Sequence, residues 1–139
     1  MPGIATFESK CASCHSVFAA PWLGEFAYGE FVLTGMRGNV YALLTAIGNE
    51  AWDLVQAVVP DVDVDTFQEL LARLADPVNG QSWTMSHVCP RCESHEWTYW
   101  GGDRMGNVDV PNATFNTFLA LQPVEREQRA LQLLAELTE

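Results

Sequence analysis

Apolar residues recur at helical spacing through the middle and at the end of this chain, and alternate with small or polar residues around residues 82–100. Val40, Leu43, Leu44 and Ile47 fall at i, i+3, i+4 and i+7, with Asn39 placed to cap them, and predict a helix that stops at Gly48. Asn49 can cap a second helix that turns Trp52, Val55 and Val59 inward and ends at Pro60. Phe67, Leu70, Leu71 and Leu74 repeat the same spacing, and Asp76-Pro77 with Asn79-Gly80 closes that helix in a turn. Residues 39–76 therefore read as a helical segment. A last helix is predicted from Pro123 to Leu137, with Val124, Ala130, Leu131, Leu134 and Leu137 as its apolar stripe.

The remaining stretches follow a different pattern. Residues 15–34 are rich in aromatics and broken by Gly and Pro, which suits short strands and turns. Ser82–Val88 and Glu96–Trp100 alternate as strands on either side of a Cys pair, and polar residues 103–113 with Pro111 read as an irregular connection. The fold class expected is α+β in one domain spanning residues 1–139.

The cysteines change the picture most. Cys11-Ala-Ser-Cys14 and Cys89-Pro-Arg-Cys92 account for all four, and two such pairs facing each other supply the four sulfurs of a tetrahedral Zn2+ site. The Cys89-Pro-Arg-Cys92-Glu-Ser stretch resembles the second knuckle of zinc-ribbon proteins, with Cys11–Cys14 as the first. The resemblance covers about thirty residues, departs from the usual ribbon in its long insertion, and lacks Gly after either pair. It implies a small ribbon-like β element, placed in residues 1–34 and 82–102, and one structural Zn2+; the helical spacing read at 39–76 makes that segment an insertion between the two knuckles. A ribbon is a scaffold for many functions, so no activity follows from it.

Other chemistries for the same residues fit less well. Cys11-Ala-Ser-Cys14-His15 matches a haem attachment signature, which leaves the second Cys pair unexplained. Dithiol redox chemistry at Cys89–Cys92 works best at a helix N-terminus, whereas a strand is predicted to follow. An open catalytic zinc site would need His15, His87 or His95 to replace a sulfur, and two complete Cys pairs argue for a closed shell. Asp61, Asp63 and Asp65 alternate as in a calcium loop, but Thr66 stands where that loop needs Gly and Ala72 where it needs Glu. They read instead as carboxylates at the start of the next helix, where they complement its dipole.

Composition sets the class of partner. The chain has 139 residues, 48% of them hydrophobic, enough to bury a core. Its net charge is -11, and only seven residues are Lys or Arg, so phosphate backbones find few contacts and nucleic acid is disfavoured as a ligand. Lys10, Arg91 and Arg104, near the Cys pairs in sequence, are a local exception to that balance. No basic start leads into an apolar run, and no apolar stretch reaches membrane-spanning length. The expected compartment is the cytoplasm, where thiols stay reduced and bind metal. With no phosphate-cradling Gly pattern and no nucleophile motif, an enzyme is the second choice and a transcription-type ribbon adaptor the third. The leading expectation is a zinc-stabilised, acidic protein-interaction module, of the inhibitor or immunity-protein kind, for a basic protein partner. Asp61, Asp63 and Asp65 are the candidate contact surface.

Overall fold

The computed structural model describes residues 3–23 and 29–138; the part of the aromatic-rich stretch at 24–28 lies outside them. The fold is α+β, with two antiparallel sheets and four helices. Strand β1 (Gly3–Cys11) runs into the first Cys pair and returns as β2 (Val17–Pro21), in register from Thr6 opposite Pro21 to Lys10 opposite Val17. The other edge of β1 is shared by two short strands. β6 (Trp97–Tyr99) pairs at Lys10–Cys11, and β7 (Arg104–Asp109) pairs from Gly3 to Phe7. The second sheet has the order β4-β3-β5, built from β3 (Glu30–Gly35), β4 (Tyr41–Thr45) and the two-residue β5 (Trp83–Thr84).

Helix α1 (Glu50–Val58) begins where Asn49 accepts a hydrogen bond from the Trp52 backbone N–H, and its cap residue Val59 is followed by Pro60. Helix α2 (Val64–Leu74) is capped by Asp63, whose carboxylate accepts from the Thr66 N–H at 3.1 Å. It buries Phe67, Leu70, Leu71 and Leu74 as its spacing predicts. Short helix α3 (Asn116–Ala120) precedes α4 (Pro123–Leu137), whose bounds match the expectation. The main core lies between the second sheet and the helices and contains Leu33, Leu44, Val55, Leu70, Leu71, Trp83 and Phe118. A smaller cluster of Ile4, Leu43 and Val110 sits between β1, β4 and the residue following β7.

Four expectations are corrected. Val40–Ile47 is not a helix: its centre is strand β4. Ala42 and Leu44 face the main core while Leu43 faces the small cluster, so both faces are covered and the alternation that marks a half-buried strand is lost. The segment 39–76 thus opens with strand β4, which pairs with β3 from the stretch expected to belong to the ribbon, and its helices are α1 and α2. Residues 103–113 hold strand β7, polar because it lies exposed along β1 and is held by backbone pairing. Ser82–Val88 and Glu96–Trp100, read from sequence as the two strands of a ribbon hairpin around the second Cys pair, do not pair with each other: β5 pairs with β3 and β6 with β1. On α4 the covered stripe is Ala130, Leu133, Leu134 and Leu137; Val124 and Leu131 are exposed.

Candidate metal centre

Each Cys pair is held by the same backbone arrangement. In the first, the Cys11 N–H donates to the Ser16 carbonyl at 3.0 Å, and the His15 N–H donates to the Cys11 carbonyl at 3.1 Å. In the second, the Cys89 N–H donates to the Ser94 carbonyl at 2.9 Å, and the Glu93 N–H to the Cys89 carbonyl at 2.9 Å. His15 and Glu93 both take a left-handed backbone, each with φ of 63°. Gly adopts that conformation without steric cost, so the absence of Gly after either pair leaves two strained residues. Amides inside each turn point at sulfur. The Ser13 and Cys14 N–H groups donate to Cys11 Sγ at 3.3 and 3.5 Å, and the Arg91 N–H donates to Cys89 Sγ at 3.4 Å.

The two turns face each other across β1 and β6. The Ala12 N–H donates to the Glu96 carbonyl at 3.1 Å, and the Ser13 and Ser94 hydroxyls are 2.8 Å apart. Cys11 Sγ lies 3.5 Å from Cys92 Sγ, and Cys14 Sγ lies 3.6 Å from Cys89 Sγ. All four sulfurs fall within 4.8 Å of one another, and all four cysteines are free thiols. Sulfurs about 2.3 Å from a common tetrahedral centre would stand roughly 3.8 Å apart, so the cluster has the dimensions of a four-sulfur metal shell. The donor set fits a thiophilic ion, and the amides aimed at Cys11 and Cys89 are placed to stabilise thiolate charge. Among the described residues this cluster consists of the four predicted cysteines, and none of His15, His87 or His95 joins it.

The electrostatics of the bare sulfurs follow from crowding. A hydrogen bond with Ser16 brings the Cys14 thiol down to about 6, and the Cys14 backbone N–H lowers Cys11. The Ser94 backbone N–H favours the Cys92 thiolate, but lost hydration and contacts with the other three sulfurs outweigh it and push that thiol up to about 12. Four sulfurs this close cannot all carry negative charge without a cation among them, and they titrate as a set.

Two supports around the centre were not predicted. Gly38, at φ +78° in the turn between β3 and β4, lies so close to the second Cys pair that a Cβ would sit 2.7 Å from the Val88 carbonyl oxygen and 2.9 Å from Cys89 carbonyl atoms. An aromatic group also packs beside that pair. His87 stacks on Trp100 at 3.7 Å and meets Trp97 edge-on at 4.7 Å, while Phe18 meets Trp100 at 5.4 Å. Burial pushes His87 down to about 4, so it packs as a neutral ring. The repeated Cys-x-x-Cys-x-Ser at Cys11–Ser16 and Cys89–Ser94 is the sequence signal that could have revealed the matched turns; Gly38 carries none.

The predicted contact residues lie elsewhere. Asp61, Asp63 and Asp65 are exposed at the start of α2, with Asp63 as its cap. Among the described residues no helix is long and apolar enough to cross a membrane. No protein-family model, curated protein or solved structure matches the chain.

Proposed function

We propose that Cys11, Cys14, Cys89 and Cys92 hold one structural Zn2+, and that the protein is a zinc-stabilised interaction module of the inhibitor or immunity type for a basic protein partner. Zinc is the ion that best suits four cysteine sulfurs in a closed shell; bound there, it neutralises the thiolates and ties the two turns together. The protein's own residues supply the two matched turns, the amides on sulfur and the Gly38 contact.

The observation that carries the binding role is how charge is distributed along the chain. Residues 38–72 contain Glu50, Asp53, Asp61, Asp63, Asp65 and Glu69 and no Lys or Arg. The first five of these carboxylates are exposed, on α1, the loop after it and the start of α2. Such a surface draws a basic partner in by long-range attraction, which acts on the association rate more than on final affinity. Hydrogen bonds from the Thr66 side chain and backbone hold the Asp63 carboxyl below its usual range, so it stays charged while it caps α2.

Affinity capture on the immobilised zinc-loaded protein, followed by association kinetics of the captured partner against salt, tests this reading. The Asp61→Asn, Asp63→Asn, Asp65→Asn triple variant is the comparison: Asn can still cap α2, so the cost is confined to the lost carboxylate charge at the helix start, and a thermal melt checks that the variant is folded under the assay conditions. The rate should fall with rising salt and fall again in the triple variant. A rate independent of both would overturn the reading.

A further inference from the structure

An apolar cavity of about 330 Å³ opens between β4, the turn after α2 and the segment following β7. That volume is near the lower end for small-ligand sites and large enough for one long side chain. Val40, Val78, Tyr41 and Trp83 line it, and Asp76 and Asp109 supply carboxylates. Trp83 is fixed in place: it is 2% exposed, and its Nε1–H donates to the Asp76 carbonyl at 2.8 Å. The Asp76 carboxylate is occupied by the Thr114 hydroxyl at 2.7 Å and by the Asn116 and Thr117 N–H groups at 2.7 and 3.0 Å. Asp109 is exposed at the end of β7 and has no ion pair among the described residues. The larger cleft beside α2, about 560 Å³, is less suited to a cation. There the Glu69 carboxylate is already taken by Thr84, Met85 and Arg73, and Arg73 itself lines the cleft and offsets the exposed Asp65 carboxylate at its rim.

Apolar walls, an accessible aromatic ring at Tyr41 and a carboxylate match the parts of an arginine side chain. Its methylene stem packs on aliphatic groups, and its flat guanidinium stacks on aromatic rings and pairs with a carboxylate. We propose that this cavity receives an arginine side chain of the protein partner, with the Asp109 carboxylate as the counter-charge, the Tyr41 ring as the stacking surface and the buried Trp83 as the fixed floor. The inference rests on the basic-partner reading above and gives that partner an anchor away from the Asp61–Asp65 surface. The rigid Trp83 floor keeps the ordering cost of such an anchor low.

The test titrates N-acetyl-arginine amide into the full zinc-loaded chain and follows the Trp83 indole N–H together with the backbone amides of Tyr41 and Asp109 by NMR. Saturable shifts at these positions with Kd on the order of 1–10 mM are expected. N-acetyl-citrulline amide, equal in shape and uncharged, should leave them unmoved. Asp109→Asn should weaken the arginine amide about tenfold, as loss of a charge-assisted hydrogen bond does, and the Asp61, Asp63, Asp65 triple variant should bind it unchanged. Absence of saturable shifts, equal binding of the citrulline amide, or full affinity in Asp109→Asn would overturn the proposal. If the arginine amide does not bind while association of the captured partner still slows with salt, the cavity proposal alone fails. If the amide binds as expected and that association ignores salt, the acidic-surface reading alone fails.

Discussion

Gly38 carries the sharpest consequence at the scale of single residues. Its positive φ and its contact with the Val88–Cys89 backbone leave no room for a methyl group, and the obstructing atoms belong to main chain that cannot swing aside. Gly38→Ala should therefore cost about 1–3 kcal/mol in chemical denaturation. It should also speed zinc loss to a chromogenic chelator, because the displaced backbone carries a ligand. Unchanged stability and zinc retention would contradict the contact. The left-handed residues of the two turns behave differently. His15→Gly and Glu93→Gly relieve a strained backbone while loosening the unfolded chain, so each should be near neutral. His15→Val, branched at Cβ in the same conformation, should cost about 1–2 kcal/mol by the same assay. At this scale the clustering of the four cysteines was legible, because two Cys-x-x-Cys turns are each built to present a pair of sulfurs. Gly38 was not, since its partner lies some fifty residues away in sequence and leaves no periodic trace.

Among the elements, α2 and α4 were readable in their bounds because each has one covered face and a clear start: Asp63 caps α2, and Pro123 opens α4 behind Gln122. Even so, the α4 stripe was misplaced. Leu131 and Leu133 both suit an apolar face, and only packing against α1 and α2 selects Leu133. Strand β4 was misread for the opposite reason, being covered on both sides, and β7 because its polar side chains conceal a strand held by main-chain pairing to β1. The start of α3 depends on Asp76, whose carboxylate collects three hydrogen bonds from residues 114–117. Burial alone would raise that carboxyl, but the Thr117 N–H, the Thr114 hydroxyl and the Asn116 N–H together hold it below its usual range. A depressed folded-state value means that its stabilising effect is present at neutral pH and is lost as pH falls through the unfolded and then the folded value. Asp76→Asn should lower stability at pH 7 by about 1–2 kcal/mol, and the gap from wild type should close below about pH 4. Thermal melts across pH measure both; a gap that widens in acid would contradict the account.

In the whole molecule, the second Cys pair is one junction between the sheets, beside the Ile4, Leu43 and Val110 cluster. The chain leaves the β3 sheet at Thr84, passes through Cys89–Cys92 and enters the β1 sheet at Trp97. Metal removal should therefore loosen β1, β2 and β6 first, while α2 and α4 keep part of their protection through the main core. Hydrogen exchange with and without chelator, and on Cys92→Ser, should show this order, and equal loss of protection in both regions would contradict it. The central claim is that the four cysteines, and nothing else, enclose one zinc ion. X-ray absorption at the zinc edge of the purified protein tests it most directly. Four sulfur neighbours at about 2.3 Å are predicted, and a nitrogen or oxygen neighbour in place of any sulfur would contradict the closed four-cysteine centre.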